Sequence, residues 1–231
     1  MRFSEALIPA TLVRRYKRFL ADVILPDGSP AVAHCANPGA MLGLAVPGNR
    51  VWLSANRNPK AKLAWRWEIE EADGTCVGIN TAHPNRIVAE AIAAGAIPEL
   101  AGYASLRREV AYGRNSRIDM LLEGAAGLCF VEVKNVHLKR GDQADFPDSV
   151  TARGAKHLAE LADQVAAGHR AVMLYLVQRG DCARVGIAGD IDPAYAAALA
   201  QARAKGVQAL AFACRVSPEA IDIDRPLPLA L

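Results

Sequence analysis

The sequence lacks an apolar run long enough to cross a membrane as a helix. Its opening, MRFSEALIPA, carries an acid and a proline where a secretory leader needs an unbroken apolar stretch. No C-x-x-C pair occurs. Cys35, Cys76, Cys129, Cys182 and Cys214 are scattered and odd in number, which leaves neither a zinc knuckle nor a disulfide framework. The five histidines show no metal-ligand spacing. With no G-x-S-x-G elbow and no glycine-rich phosphate loop, triad hydrolases, kinases and dinucleotide enzymes are excluded. Internal repeats, low-complexity linkers and targeting tails are missing too. These absences point to a cytoplasmic protein with no membrane partner.

What is present is a chain of 231 residues, 52% hydrophobic and 22% charged, enough for one large globular domain or two modest ones. The net charge of +3 says little alone, but residues 1–83 hold 10 Lys/Arg against 7 Asp/Glu whereas the remainder holds 17 of each. The excess concentrates in VRRYKRF (13–19), a weak pointer to an acidic partner.

The first 82 residues read as five short strands punctuated by proline, glycine and asparagine: 12–25, 31–36, 49–55, 62–72 and 76–80. Trp65, Trp67 and Ile69 alternate with Arg66, Glu68 and Glu70, the period of a half-buried strand. Five strands of this size predict a small closed, OB-like barrel, with the two tryptophans in its core. At HPNRIVAEAIAAG (83–95) the period becomes helical. The order that follows is helix 84–95, strands 105–112, 116–122 and 128–136, helix 149–167, strand 170–178, helix 193–206 and strand 207–216. This predicts a second domain over 83–231, a mixed sheet flanked by helices.

Within it, SRIDMLLEGAAGLCFVEVKNV (116–136) sets Asp119, Glu132 and Lys134 among apolar strand residues, where charge needs a partner. Strand alternation puts Glu132 and Lys134 on one face, and Arg117 with Asp119 on a face opposite Ile118 and Met120. If GAAG (124–127) closes the hairpin as a four-residue loop, Glu123 faces Leu128 and Asp119 falls opposite Glu132; a five-residue loop puts the carboxylates on opposite faces. In the first register two like charges lie ~5 Å apart and call for a cation. Mg²⁺ or Mn²⁺ fits two carboxylates, with substrate phosphate completing the shell. Lys134 beside it would serve phosphodiester hydrolysis. An exposed ion-pair ladder of Arg117, Asp119, Glu132 and Lys134 explains the same residues without a metal.

The pattern D-x(n)-E-x-K in this order of elements resembles the PD-(D/E)XK nuclease superfamily and implies a restriction-endonuclease-like domain. Ile118 stands where many members carry proline. Glu90, on the preceding helix, sits where many carry a further metal-binding acid. Over nearly its full length the chain also resembles the sugar fermentation stimulation protein family, through RYKRFLADV (15–23), HPNRIVAEAI (83–92), RREVAYG (107–113), SRIDMLLE (116–123), VEVKNV (131–136) and FPDSVTARGAKHLAEL (146–161). That resemblance implies an OB-type barrel, a nuclease-like domain and DNA binding tied to sugar, particularly maltose, metabolism. Two departures are local: Asn37-Pro38-Gly39 replaces N-T-G, and His83-Pro84-Asn85 replaces N-P-N.

Two further segments offer nucleic-acid contacts. As a strand, VRRYKRF presents Arg14, Tyr16 and Arg18 on one face and Arg15, Lys17 and Phe19 on the other; cations track phosphates and aromatics stack on bases, although a charged edge strand looks the same. On helix 149–167, Arg153, His157, Glu160 and Gln164 share a face that could carry Arg153 and His157 to a phosphate, or be an ordinary solvent face. The leading expectation is a DNA-binding protein with a divalent-metal nuclease site at Asp119, Glu132 and Lys134. The alternative is a non-catalytic DNA-binding regulator on a nuclease-like scaffold.

Overall fold

The computed structural model describes residues 1–58, 60–113 and 115–230. The strand expected over 12–25 is two strands, β1 (Ile8–Tyr16) and β2 (Leu20–Ile24), because the chain reverses at Lys17 and Arg18, which take φ values of 46° and 66°. Neither residue is a usual turn former in that region. β3 (Pro30–Cys35), β4 (Arg50–Ala55), β5 (Trp65–Ala72) and β6 (Thr75–Gly78) follow. The sheet runs β3-β2-β1-β4-β5, and a parallel β3–β5 pairing closes it into a five-stranded barrel; β6 only extends β5. Trp67 is buried in the barrel core and Trp65 packs against it.

The alternation in β5 does not produce a wet face. Glu68 and Glu70 are both buried. Glu68 accepts from Ser54 Oγ (2.6 Å) and Asn80 Nδ2 (2.7 Å), and Glu70 from Ala45 N and Asn49 Nδ2 (2.8 Å each). Loops folded over that face supply the donors a buried carboxylate requires.

The second domain comprises α1 (Pro84–Ala93), β7 (Ser105–Tyr112), β8 (Ser116–Gly124), β9 (Gly127–Val136), β10 (Leu138–Arg140), β11 (Gln143–Phe146), α2 (Ala152–Ala166), β12 (Arg170–Val177), β13 (Arg184–Ile187), α3 (Pro193–Ala204), β14 (Gln208–Val216), β15 (Ile221–Pro226) and β16 (Leu229–Ala230). Its main sheet runs β15-β14-β12-β9-β8-β7, with β9, β12 and β14 parallel. A smaller sheet, β10-β11-β13-β16, is one the sequence reading did not anticipate. Ile87, Val88 and Ala91 of α1 pack with Met120, Leu122, Val131 and Val133 on one face. Leu158 and Leu161 of α2, with Tyr195 and Leu199 of α3, pack with Leu121, Phe130 and Tyr175 on the other. The first three residues join this domain, not the barrel: Met1 lies in the α1 cluster, and Arg2 bridges to Ala220.

Buried polar contacts fix barrel to sheet. Arg179, 1% exposed, reaches Asp73 in the β5–β6 turn at 2.9 Å and the His137 carbonyl at 3.0 Å. Gly78 N donates to the Gln178 carbonyl (2.8 Å), and a Cβ at Gly78 would sit 2.6 Å from Gln178 Oε1. Asp148 Oδ2, just before α2, accepts from Met41 N of the barrel (2.8 Å) and meets His137 Nε2 at 3.2 Å. Gly39 allows that approach, since a Cβ there would lie 2.5 Å from Asp148 Oδ2.

Candidate active site

The β8–β9 hairpin adopts the register that brings the carboxylates together. Glu123 pairs with Leu128, and Gly124 pairs with Gly127, so only Ala125 and Ala126 form the turn. Pairing ends at Met120↔Val131, one step before Asp119 and Glu132. There the ladder is replaced by a side chain: Asp119 Oδ2 accepts from Val133 N at 2.7 Å, while Oδ1 accepts from Asn85 Nδ2 at 2.7 Å. Strict alternation breaks at this point. Ile118 packs in the α2–α3 cluster but Met120 in the α1 cluster, so they do not share the face that a regular strand would give them.

Glu132 is 2% exposed and its two oxygens differ. Oε1 receives Lys134 Nζ at 2.7 Å and is also bonded by His157 Nδ1, whereas Oε2 is buried with no hydrogen-bond partner among the described residues. Burial opposes its ionisation, but the His157 bond and the Lys134 charge outweigh that and hold the carboxyl below its ordinary value. Asp119 is displaced the other way: burial, then the charge of Glu132, push it up despite the Val133 and Asn85 bonds. The neighbours of Glu132 thus favour its charged form, while burial and the Glu132 charge disfavour that of Asp119.

These groups open into a cleft of about 810 Å³ between barrel and sheet. Its sheet wall includes Asp119, Glu132, Lys134, Asn85, Arg153 and His157; its barrel wall includes Arg15, Arg18 and the Asn37–Ala40 segment, where Pro38 departs from the N-T-G pattern. Arg15 and Arg18 therefore face the same space instead of opposite faces, as the β1–β2 reversal dictates. Arg15 is already engaged: its Nη2 donates to the Asn37 (2.8 Å) and Gly39 (2.9 Å) carbonyls, so it shapes the wall. Arg18 is exposed. Arg14 and Tyr16 do not line the cleft; Arg14 pairs with Asp22 at 2.7 Å and lies 4.9 Å over the Tyr16 ring. Lys17 is in the turn and outside the cleft lining too. Arg117 lines a smaller adjoining groove, which shares Arg153 and His157 with the cleft.

Two expectations change. Glu90 is not brought to the carboxylates: it accepts from Arg86 Nε (2.7 Å) and pairs with the Met1 amine (3.1 Å). His157 and Glu160 are buried while Arg153 stays exposed, so the middle of the polar face of α2 looks into the fold and His157 meets Glu132, not solvent. His83 is the N-cap residue of α1, but its side chain makes no capping bond; its Nε2 reaches Glu68 at 2.7 Å. Sequence reasoning also missed Asn85, which orients Asp119, and Asp148, which ties the cleft walls together. Both lie in segments that carried the family resemblance, yet nothing in their local pattern marks a role.

Among the described residues no group of three or more His, Cys, Asp or Glu side chains forms a ready metal cage. A hard divalent ion would nevertheless suit Asp119 and Glu132: it needs one or two carboxylates, with water or phosphate elsewhere, and Glu132 Oε2 has no donor among the described residues. Among the described residues no helix is long and apolar enough to cross a membrane.

Comparison with known proteins gives the chain its relatives. Residues 13–79 match the SfsA N-terminal OB domain, and residues 82–220 the sugar fermentation stimulation protein RE domain. Sugar fermentation stimulation protein homologs from Rhodospirillum centenum and Paramagnetospirillum magneticum are 67% and 62% identical over 232 residues; these alignments span all of this chain, with all of the first relative and 98% of the second. SfsA of Pyrococcus furiosus, solved in complex with Ca²⁺, superposes with a TM-score of 0.90 at 27% identity, covering 100% of this chain and 98% of that one. The chain belongs to the sugar fermentation stimulation protein family.

Proposed function

We propose that this protein is a divalent-metal-dependent phosphodiesterase of the PD-(D/E)XK nuclease type, acting on nucleic acid, DNA foremost, held between barrel and sheet. The observation that carries this is the meeting of Asp119, a half-unsatisfied Glu132 and Lys134 in one cleft with the cations Arg18 and Arg153. Asp119 and Glu132 would hold Mg²⁺ or Mn²⁺; that the Pyrococcus furiosus relative was solved in complex with Ca²⁺ is in keeping with a hard cation in this family. When bound, such an ion polarises a phosphoryl oxygen and lowers the pKa of water.

The chain's own residues supply the rest. Lys134 Nζ lies 2.7 Å from Glu132 Oε1 and lines the cleft, where it can orient the attacking water or stabilise charge developing on the phosphate. Arg153 uses Nε on His157 at 3.2 Å, which directs the other N–H groups of its fork to a phosphate. Arg18 adds a cation on the barrel wall. Water adds to phosphorus, one P–O ester bond breaks, and the products are a phosphomonoester and a hydroxyl.

A specific feature favours a second reading, a non-catalytic DNA-binding regulator of sugar metabolism: Lys134 and His157 both occupy Glu132 Oε1, so the site can close on itself. Cleavage assays on single-stranded, duplex and branched DNA and on RNA, with Mg²⁺ or Mn²⁺, separate the two. Cleavage that falls ~100-fold or more in Lys134→Ala, with binding intact, is expected of the enzyme. Salt-sensitive binding without cleavage under either ion would establish the regulator.

A further inference from the structure

Three side chains form one chain of hydrogen bonds from the open cleft to the buried carboxylate. Arg153, exposed on α2, meets His157 Nε2 through Nε at 3.2 Å, and His157 Nδ1 meets Glu132 Oε1. The direction of each bond follows from chemistry. Arginine can only donate, so Nε2 of His157 accepts, and the ring proton sits on Nδ1, aimed at Glu132. Lys134 Nζ competes for the same Oε1 and lies 3.5 Å from His157 Nδ1. If Lys134 turns to a substrate phosphate, Glu132 loses one of its two donors and His157 alone keeps its carboxylate aimed.

We propose that His157 is a positioning residue that couples phosphate binding at Arg153 to metal binding at Glu132. This rests on the metal-site reading above. A phosphate that fixes the Arg153 fork also fixes Nε, and through it the imidazole plane and the rotamer of Glu132, which presents Oε2 to the ion. Coupling is reciprocal, so metal at Glu132 likewise tightens binding of the phosphate. His157 touches neither substrate nor ion. Its burial, at 4% exposure, is what lets it transmit orientation without meeting solvent.

The test is calorimetric titration of Mn²⁺ into the full-length protein, alone and saturated with a phosphorothioate oligodeoxynucleotide. The parent is expected to bind Mn²⁺ ~5-fold or more tightly with the oligonucleotide present. His157→Ala is expected to weaken Mn²⁺ alone by ~10–100-fold, the usual cost of losing a hydrogen-bond partner of a metal ligand. Asparagine places its amide nitrogen near Nδ1, so His157→Asn retains the affinity for Mn²⁺ alone but loses the tightening. Glutamine places its amide oxygen near Nε2, so His157→Gln keeps the Arg153 bond yet binds Mn²⁺ as weakly as the alanine variant. Should the alanine variant fail to fold, by its circular dichroism, the contrast between asparagine and glutamine decides. Unchanged Mn²⁺ affinity in His157→Ala, equal behaviour of the two amides, or tightening that survives in His157→Asn overturns the coupling while leaving the metal site standing. A parent that binds no Mn²⁺ overturns the site itself.

Discussion

Replacing Asp119 by asparagine should stabilise the metal-free protein while abolishing its response to metal. Asp119 accepts one bond from Val133 N and one from Asn85 Nδ2. Asparagine keeps both contacts if its oxygen faces Val133 and Asn85 turns its amide over, so packing is preserved and only a charge is lost. Two carboxylates ~5 Å apart in a partly buried site of effective dielectric ~20 repel by ~3 kcal/mol. Lys134, 2.7 Å from Glu132 Oε1, offsets part of that, and the weaker neutral bonds to Val133 and Asn85 offset ~1 kcal/mol more. A net gain of ~1–2 kcal/mol remains, or ~2–8 °C in Tm for a chain of this size. The gain depends on pH with a definite sign. Because burial and Glu132 raise the Asp119 pKa in the fold, the parent carries the repulsion above that raised value and sheds it as pH falls through the ordinary carboxylate range. The advantage of Asp119→Asn should therefore be greatest near neutrality and fade toward pH 4. Thermal unfolding with and without Mn²⁺ measures both effects. A variant less stable than the parent at pH 7 without metal, or one that Mn²⁺ stabilises as much as the parent, refutes the reasoning.

The remaining expectations separate wall, seam and bystander. Asp148, held down to about 2 against burial by His137 and Met41 N, contributes ~2 kcal/mol that is present above pH ~4 and lost as pH falls through about 2; in denaturant titrations Asp148→Asn should be weaker than the parent at pH 7, and the gap should shrink steadily as pH falls from ~4 toward ~2. Arg15→Ala removes donors to three carbonyls of the 37–40 segment and should cost ~1–3 kcal/mol in chemical denaturation. Arg18→Ala should leave stability unchanged and reduce the salt slope of DNA binding by ~1 in fluorescence anisotropy. Glu90→Gln should leave Mn²⁺ affinity in calorimetry as it was, because Glu90 faces Arg86 and Met1.

The hairpin register was legible because glycine bounds the turn on both sides and one alternative register inverts every side chain. The bend at Asp119 was not: it comes from a carboxylate taking a backbone N–H, a choice that strand alternation does not encode. Lys17 and Arg18 gave no turn signal, since neither is among the residues that favour positive φ. The burial of His157 and of Glu68 was hidden for a shared reason. Amphipathic patterns send polar residues to solvent, and only the tertiary fold reveals that Glu132 waits for one and Ser54 and Asn80 for the other. The strands β10, β11, β13 and β16 have two to four residues each, too few to display a period.

The energetics of the cleft support the proposed enzyme rather than the proposed scaffold. Taking Asp119, Glu132 and Lys134 out of water incurs a desolvation cost that the contacts of Asp119 offset only in part, and apolar residues of similar volume would commonly leave such a sheet as stable or more so. The strain falls where it is useful: Asp119 is raised, Glu132 keeps one oxygen bare, and Asp148 with Met41 and Arg179 with Asp73 hold the cationic barrel wall in place opposite them. A barrel that gripped DNA alone would need no such opposite wall. Two neighbouring carboxylates in a cleft that Arg18 and Arg153 also line are the arrangement that the proposed ion and the proposed phosphate would complete.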